Sequence, residues 1–302
     1  MTSAGRCIGQ ASRLGHQGSH GGLTIGPVRF QFLSDLHLET QPDTWVDPAP
    51  TAELLVLAGD VGSYQPGSQL PGADFGVERF APARGWPAPV LFVPGNHEYD
   101  NLDYDATYAR LRSTCERLGI TWLERESVAI DGVRFIGTTL WTDFDALAIQ
   151  AQDTVGLIKA RHKAFRAANF YLGKTGATRR GEPFLAEGWR ELGLECQAWL
   201  RQALAQPFDG PTVVVTHFAP TLRSADPRYG LIPGTAGFCN ALDDLLPLAD
   251  VWLHGHLHFQ QDYRVERCRV VANPLGYARK GEQEGFRPHL VLEVDAKVPS
   301  AR

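Results

Sequence analysis

The stretch Trp252-Leu253-His254-Gly255-His256-Leu257-His258 decides the fold, because it places metal-binding side chains directly after an apolar segment. The preceding run, Leu245–Leu253, is apolar enough to end in a buried strand, and three of the ten histidines follow within five positions. In a strand or a tight turn, side chains two positions apart point the same way, so His256 and His258 are expected to reach one site. Gly255 allows the backbone to turn sharply or to approach that site closely.

Four other apolar runs also end in residues of the types that bind metals. Each run is short, which is typical of a strand buried in a sheet. The runs and the residues that follow them are Val28–Leu33 with Asp35 and His37, Glu53–Ala58 with Asp60, Pro89–Val93 with Asn96 and His97, and Pro211–Val215 with His217. Because α/β sheets bind ligands beyond the carboxyl ends of their strands, we expect these side chains to converge on one edge.

The candidate metal ligands are two carboxylates, four imidazoles and one carboxamide. They are Asp35, His37, Asp60, Asn96, His217, His256 and His258. These donors are too many for one four-coordinate ion and suit two divalent ions bridged by a carboxylate. Imidazole favours transition metals, so Mn, Fe, Zn and Co are better candidates than Mg or Ca.

Such a pair of ions generates hydroxide from water at neutral pH and neutralises charge on a phosphoryl oxygen. The leaving alkoxide still needs a proton donor. His97 is adjacent to the candidate ligand Asn96, and strand alternation predicts that its side chain points elsewhere. We therefore predict that His97 is the general acid.

Composition limits the other classes of function. The 302-residue chain is 43% hydrophobic and has a net charge of −5, which argues against a general nucleic-acid-binding surface. Its five widely spaced cysteines include no C-x-x-C pair, which favours a reducing, cytoplasmic compartment. No apolar run is long enough to form a membrane-spanning helix.

The sequence indicates one domain, residues 27–297, after an N-terminal extension. Residues 1–26 have no apolar segment of the kind a secretory signal needs, and we expect a disordered extension or a targeting arm. Periodic apolar residues predict a helix over 104–118, and Asp131-Gly132 predicts a hairpin. Helices predicted over 146–166 and 183–206 form a helical cap insertion around 146–206. The basic residues between them, Lys174, Arg179 and Arg180, indicate a solvated loop or a cap that meets an anionic substrate.

Taken together, the motifs resemble those of the calcineurin-like metallophosphoesterase superfamily. Its signature of D-x-H, G-D, G-N-H-[ED], H and G-H-x-H corresponds here to Asp35-Leu36-His37, Gly59-Asp60, Gly95-Asn96-His97-Glu98, His217 and Gly255-His256-Leu257-His258. The resemblance implies a four-layer αββα sandwich of two mixed β-sheets flanked by helices. It further implies that Asp35, His37 and His258 hold one metal, that Asn96, His217 and His256 hold the other, that Asp60 bridges them and that His97 is the general acid.

One departure from the family pattern bears on the substrate. Many protein phosphatases of the superfamily have a phosphate-binding arginine shortly after G-D, whereas Val61-Gly62-Ser63-Tyr64 follows here. This favours a phosphodiesterase over a Ser/Thr protein phosphatase and is similar to the small predicted phosphoesterases of bacteria. We expect a small phosphorylated substrate, either a phosphodiester or a phosphomonoester. The alternatives are a nuclease of the same superfamily and a non-catalytic interaction scaffold. The sequence leaves the oligomeric state open.

Overall fold

A computed structural model of the chain describes residues 26–296. Residues 1–25 and 297–302 lie outside the described residues, so the disordered extension expected over 1–26 stays a prediction. The strands are β1 Val28–Leu33, β2 Leu54–Ala58, β3 Val90–Val93, β4 Thr121–Trp122, β5 Glu126–Ile130, β6 Val133–Thr138, β7 Thr178–Arg179, β8 Glu182–Pro183, β9 Thr212–Thr216, β10 Val251–His254, β11 Gln261–Val265, β12 Cys268–Ala272 and β13 Val291–Val294. The α-helices are α1 Tyr104–Leu118, α2 Thr154–Thr175 and α3 Ala186–Ala205.

Eleven of the thirteen strands of the described region form two large mixed sheets, and β7 and β8 form a separate two-stranded sheet. The first has the order β13-β1-β2-β3-β4, in which β13 is antiparallel to β1 and the other neighbours are parallel. The second has the order β11-β12-β10-β9-β6-β5, with antiparallel pairs at both edges and parallel pairs between them. The candidate ligands follow β1, β2, β3, β9 and β10. All five strands are interior, and those in the same sheet run parallel to one another, so their carboxyl ends lie at the same edge of that sheet.

The two sheets pack face to face through an apolar layer. Phe30 of β1 and Phe135 of β6 meet edge to face across this layer, with ring centroids 5.6 Å apart. Phe32 belongs to the same layer. The neighbouring Leu33 points to the other side of the sheet, where a second apolar core lies beneath the helices and loops. Because both faces of the central strands are buried, these strands have continuous apolar sequences rather than alternating ones.

Helix α1 packs on the first sheet at β4 and α3 packs on the second at β6, which confirms the predicted αββα sandwich. Helix α1 has the predicted bounds, because Asp103 accepts a hydrogen bond at its N-terminus and Gly119, with φ of 71°, ends it. The turn at Asp131-Gly132 joins β5 to β6 as predicted, and both residues have positive φ. No helix in residues 26–296 is long and apolar enough to cross a membrane.

Helix α2 differs from its prediction. It runs over Thr154–Thr175 instead of 146–166, so it includes Lys174 and the first part of the segment expected to be a basic loop. The helix packs on α3 and on a 3₁₀ helix over Pro233–Gly237 instead of on a sheet, and Ala164 is its one fully buried residue. With so little buried surface, the apolar pattern in the sequence was too weak to locate its ends.

Candidate metal centre

The predicted ligands lie in turns beyond the strand ends, and these turns rather than the pleat of the strands bring them together. β1, β2 and β10 stop one or more residues before the ligands, and the backbone then adopts left-handed conformations. Positive φ occurs at Asp35 (53°), His37 (46°), Asp60 (54°), His256 (69°) and His258 (48°). Non-glycine residues seldom adopt this conformation, because each instance costs about 1–3 kcal/mol. It persists only where the surrounding structure enforces it, and such places are concentrated at functional sites.

Glycines flank these turns where a carboxylate lies against the backbone. A Cβ atom at position 255 would collide with the Asp35 carboxylate, and one at position 95 would collide with the Asp60 carboxylate. Only glycine leaves that space. The glycines of the G-N-H-E and G-H-x-H motifs therefore make room for the two buried carboxylates.

The first group of candidate ligands contains Asp35, His37, Asp60 and His258, whose donor atoms all lie within 4.8 Å of one another. The Nε2 atoms of His37 and His258 are 3.0 Å apart, and His258 Nε2 is 3.5 Å from Asp35 Oδ1. Asp35, His37 and Asp60 are essentially inaccessible to solvent. Burial opposes the charge of Asp35, but His258 and His217 hold the pKa of this carboxyl at about 2.

The second group contains Asp60, His217 and His256, and it therefore shares Asp60 with the first. His217 Nε2 is 3.2 Å from Asp60 Oδ2, 3.1 Å from Asn96 Oδ1 and 3.3 Å from His256 Nδ1. The other ring nitrogen of His217 donates a hydrogen bond of 2.8 Å to the Ala58 carbonyl, which turns Nε2 toward the site. Burial lowers the pKa of His256 well below its usual value, so this imidazole is neutral, the form that binds metals.

Unsatisfied polar atoms test whether these residues fit metal ions. Asp35 Oδ2, Asp60 Oδ2 and His256 Nε2 are buried and form no hydrogen bond within the described residues. Buried polar atoms nearly always have partners, and leaving one unsatisfied costs about 1–3 kcal/mol. Orphaned oxygen and nitrogen acceptors beside clustered imidazoles are the donor set expected for divalent transition metals. The residues present therefore fit a pair of such ions.

Two glutamates contact the Nδ1 atoms of candidate ligand histidines, and neither glutamate was identified from the sequence. Glu39 Oε1 lies 3.1 Å from His37 Nδ1, and Glu282 Oε2 lies 2.7 Å from His258 Nδ1. A carboxylate on the far nitrogen fixes the orientation of a metal-binding imidazole and raises its basicity. Glu39, two positions after His37, could have been suspected, whereas nothing in the sequence places Glu282 near residue 258.

His97 lies beside the two ligand groups and belongs to neither. It begins a 3₁₀ helix over His97–Tyr99, so a turn rather than strand alternation separates its side chain from that of Asn96. Its Nδ1 is 2.5 Å from Asp100 Oδ2, and its side chain is 22% exposed. Burial opposes protonation, but the Asp100 and Asp60 carboxylates raise the pKa of His97 to about 10. His97 thus carries a proton near the candidate ligands. Asp100 was not identified from the sequence.

His254, the remaining histidine of the opening stretch, faces away from the metal groups. Its Nε2 lies 3.0 Å from Ser224 Oγ, which in turn lies 2.7 Å from Tyr263 Oη. Burial lowers the pKa of His254 to about 4. This neutral, buried imidazole lies outside both groups of candidate ligands.

Two clefts open from the two groups of candidate ligands. The larger has a volume of about 500 Å³ and runs between the sheet edge and α2. Its aromatic and small lining residues include Trp141, Phe144, Tyr171, Trp189, Phe218, Phe238, Tyr277, Ala167, Ala168, Ala177, Gly234 and Gly237. A second cleft of about 310 Å³ shares His256, His258, Tyr171 and Phe238 with the first. Lys174 lines the larger cleft, whereas Arg179 and Arg180 pair with Asp105, so only one of the three predicted basic residues faces it.

The sequence matches the family described as calcineurin-like phosphoesterase over residues 28–260, and the chain belongs to this family. The resemblance predicted from the motifs is thereby confirmed. An uncharacterized protein, L509, of Acanthamoeba polyphaga mimivirus is 24% identical over 220 residues, which are 68% of this chain and 74% of that protein.

Solved structures share the fold. A phosphopantetheinyl hydrolase from Mycobacterium tuberculosis superposes with a TM-score of 0.62 at 20% identity, over 93% of this chain and 100% of that chain. A putative 5′-nucleotidase from Staphylococcus aureus gives a TM-score of 0.42 at 16% identity, over 82% of this chain and 48% of that chain. The first of these structures shows that the fold is shared, and the family match identifies the chain as a metal-dependent phosphoesterase.

Proposed function

We propose that the protein hydrolyses a phosphodiester with the help of two divalent transition-metal ions, Mn, Fe or Zn. The observation that carries this proposal is the pair of buried donor groups that share Asp60 and contain orphaned acceptor atoms. In the proposed arrangement Asp35, His37 and His258 would hold one ion, Asn96, His217 and His256 would hold the other, and Asp60 would serve both. When bound, such ions supply Lewis acidity toward phosphoryl oxygens and lower the pKa of water.

His97 is the proposed general acid. The contact with Asp100 fixes its Nδ1, so Nε2 is free to face the larger cleft, which His97 lines. A proton held at Nε2 can pass to the ester oxygen of a leaving group that occupies this cleft. General acids of this kind contribute about 10²–10⁴-fold to the rate.

Two features support a diester over a monoester. First, the two clefts diverge from His256 and His258, which gives room for an organic group on either side of a phosphate. Second, among the described residues Asp60 and Asp100 are the only carboxylates that line the larger cleft, and Lys174 and Lys280 line it too, so an uncharged or anionic chain is accommodated. A phosphopantetheinyl ester, with its extended chain, is a specific candidate because the similar mycobacterial structure is named a hydrolase of that group.

A small phosphorylated substrate and a cytoplasmic location belong to the same proposal. The described cysteines Cys115, Cys196, Cys239 and Cys268 are all free and buried, as is usual for proteins of reducing compartments.

The test pairs elemental analysis with hydrolysis of bis-p-nitrophenyl phosphate and p-nitrophenyl phosphate after Mn²⁺ addition. About two ions per chain with faster cleavage of the diester are expected. Asp60→Asn should lose both ions and nearly all turnover, whereas the exposed Asp43→Asn should match the wild type. A fully active Asp60→Asn protein would refute the site assignment. Cleavage of the monoester alone would refute the diesterase.

A further inference from the structure

The segment Asn273-Pro274-Leu275-Gly276-Tyr277 is fixed against the turn that carries Asp35. The backbone N–H groups of Leu275 and Gly276 donate to the carbonyls of Ser34 and Asp35, at 3.1 and 3.0 Å. The buried Asn273 side chain donates to the Phe32 carbonyl at 2.8 Å. These three hydrogen bonds fix the end of the segment beside the candidate metal ligands.

Tyr277 is the residue that this segment presents to the site. Its ring stacks on His37, with centroids 4.2 Å apart and an interplanar angle of 30°, and it meets His258 edge-on at 5.1 Å. Its backbone N–H donates to Glu282 Oε2 at 2.8 Å, and the same oxygen is 2.7 Å from His258 Nδ1. The phenol is therefore oriented by the residues that orient the ligands.

The Tyr277 hydroxyl is the part of this side chain without a strong partner. Its one hydrogen-bond contact among the described residues is with His97 Nε2, at 3.5 Å, which is long for such a bond. Both groups line the larger cleft. A polar hydroxyl aimed at the same space as the proposed general acid is positioned to bind a ligand oxygen there.

Charges of both signs surround the phenol: the Asp60, Glu39 and Asp100 carboxylates, and the cations of Arg279 and Lys280. Lys280 Nζ lies 4.5 Å from the centroid of the Tyr277 ring, and Lys280 also lines the cleft. The arginine that many protein phosphatases of the superfamily place after G-D is missing, because Val61-Gly62-Ser63-Tyr64 follows Asp60. Without that arginine, the Tyr277 hydroxyl is a neutral hydrogen-bond donor available in the cleft.

We propose that Tyr277 contacts the substrate, and that its hydroxyl donates a hydrogen bond to a phosphoryl oxygen on the side of the leaving group, next to His97. This inference rests on the proposed phosphoesterase function. It assigns a role to a residue outside the ligand set and outside the general acid. The ring contacts with His37 and His258 hold the phenol in place, and the hydroxyl alone makes the new contact.

Tyr277→Phe tests the proposal, because it keeps the ring and removes only the hydroxyl. We expect the affinity of the Mn²⁺-loaded protein for inorganic phosphate, measured by calorimetry, to fall about 10- to 100-fold, the range for a hydrogen bond to a charged group. kcat/KM for bis-p-nitrophenyl phosphate should fall by a similar factor. Metal content and melting temperature should stay unchanged. Tyr108→Phe, on α1 against Trp122, is the matched control and should behave as the wild type.

The outcomes separate this inference from the function on which it rests. Unchanged phosphate affinity and turnover in Tyr277→Phe would overturn the role of the hydroxyl and leave the phosphoesterase intact. Loss of metal from this variant would also overturn it, since the hydroxyl would then be needed for metal binding and not for contact with the substrate. If the wild type cleaves no ester but binds phosphate more tightly than Tyr277→Phe, the proposed function fails and the contact stands.

Discussion

Replacing Glu282 by glutamine tests whether a carboxylate outside the ligand set strengthens the metal site. Burial opposes the charge of Glu282, but His258 and the Tyr277 N–H lower its pKa to about 2, so the side chain is ionised. Glutamine has nearly the same shape and still offers an oxygen acceptor to His258 Nδ1. The substitution therefore removes the negative charge and little else.

The size of the effect follows from the contact and its burial. Removing such a partner of a metal-binding histidine usually weakens metal affinity about 10- to 100-fold. We expect about tenfold for Glu282→Gln, at the low end of that range, because the Glu282 side chain is 17% exposed and water can screen the change. Glu39→Gln should lie at the high end, since the side chains of Glu39 and its partner His37 are both 0% exposed.

The assay is calorimetric titration of the metal-free protein with Mn²⁺ at constant ionic strength. Glu284→Gln is the matched control, because Glu284 is exposed in the same 3₁₀ helix, Glu282–Gly285. It should bind Mn²⁺ like the wild type. Wild-type affinity in Glu282→Gln would refute the reasoning. An equal loss in Glu284→Gln would show that general surface charge, and not the contact with His258, is responsible.

Two further predictions concern the cleft and the general acid. Ala168→Trp should narrow the larger cleft and lower kcat/KM for bis-p-nitrophenyl phosphate at least tenfold more than for p-nitrophenyl phosphate, the order of a bulky misfit in a binding pocket. Arg166→Trp, exposed on the same helix, should change neither, and equal losses on both esters in Ala168→Trp would contradict the placement of the organic group. In the metal-free protein, the stability from the protonated His97–Asp100 pair should be complete below the ordinary histidine pKa of about 6.5 and be lost as pH rises through about 10. His97→Asn should flatten that part of the melting-temperature profile, and a profile with an unchanged slope would rule out the raised pKa.

Strong local patterns made much of the fold predictable. Helix α1 has the predicted bounds because its apolar spacing, the Asp103 cap and Gly119 all agree. Strand β1 was equally clear, since both of its faces are buried. Strand β11, Gln261–Val265, was not predicted because it is a polar edge strand that alternates between partly buried and exposed residues. α2 was misplaced for a related reason, because Ala164 is its one fully buried residue.

The candidate site also contains residues that could be predicted from the sequence and residues that could not. The seven predicted ligands follow strands, so the sequence shows them in order along the chain, and the structure brings six of them into two groups with Asn96 beside His217. Glu282 and Tyr277 follow no such pattern. They reach the site only because the segment after β12 folds back over the turn at Asp35. Contacts of that kind depend on tertiary structure and leave no local trace in one sequence.

The division of the candidate ligands between the sheets bears on how the protein acquires its metals. Asp35, His37 and Asp60 follow strands of the first sheet, whereas His217, His256 and His258 follow strands of the second. Each donor group draws on both sheets, so neither exists until the sandwich has closed. In small zinc domains the ion drives folding. Here the candidate ligands come together only in the folded sandwich, so we expect metal binding to follow folding and the ions available at that point to decide which metals are bound.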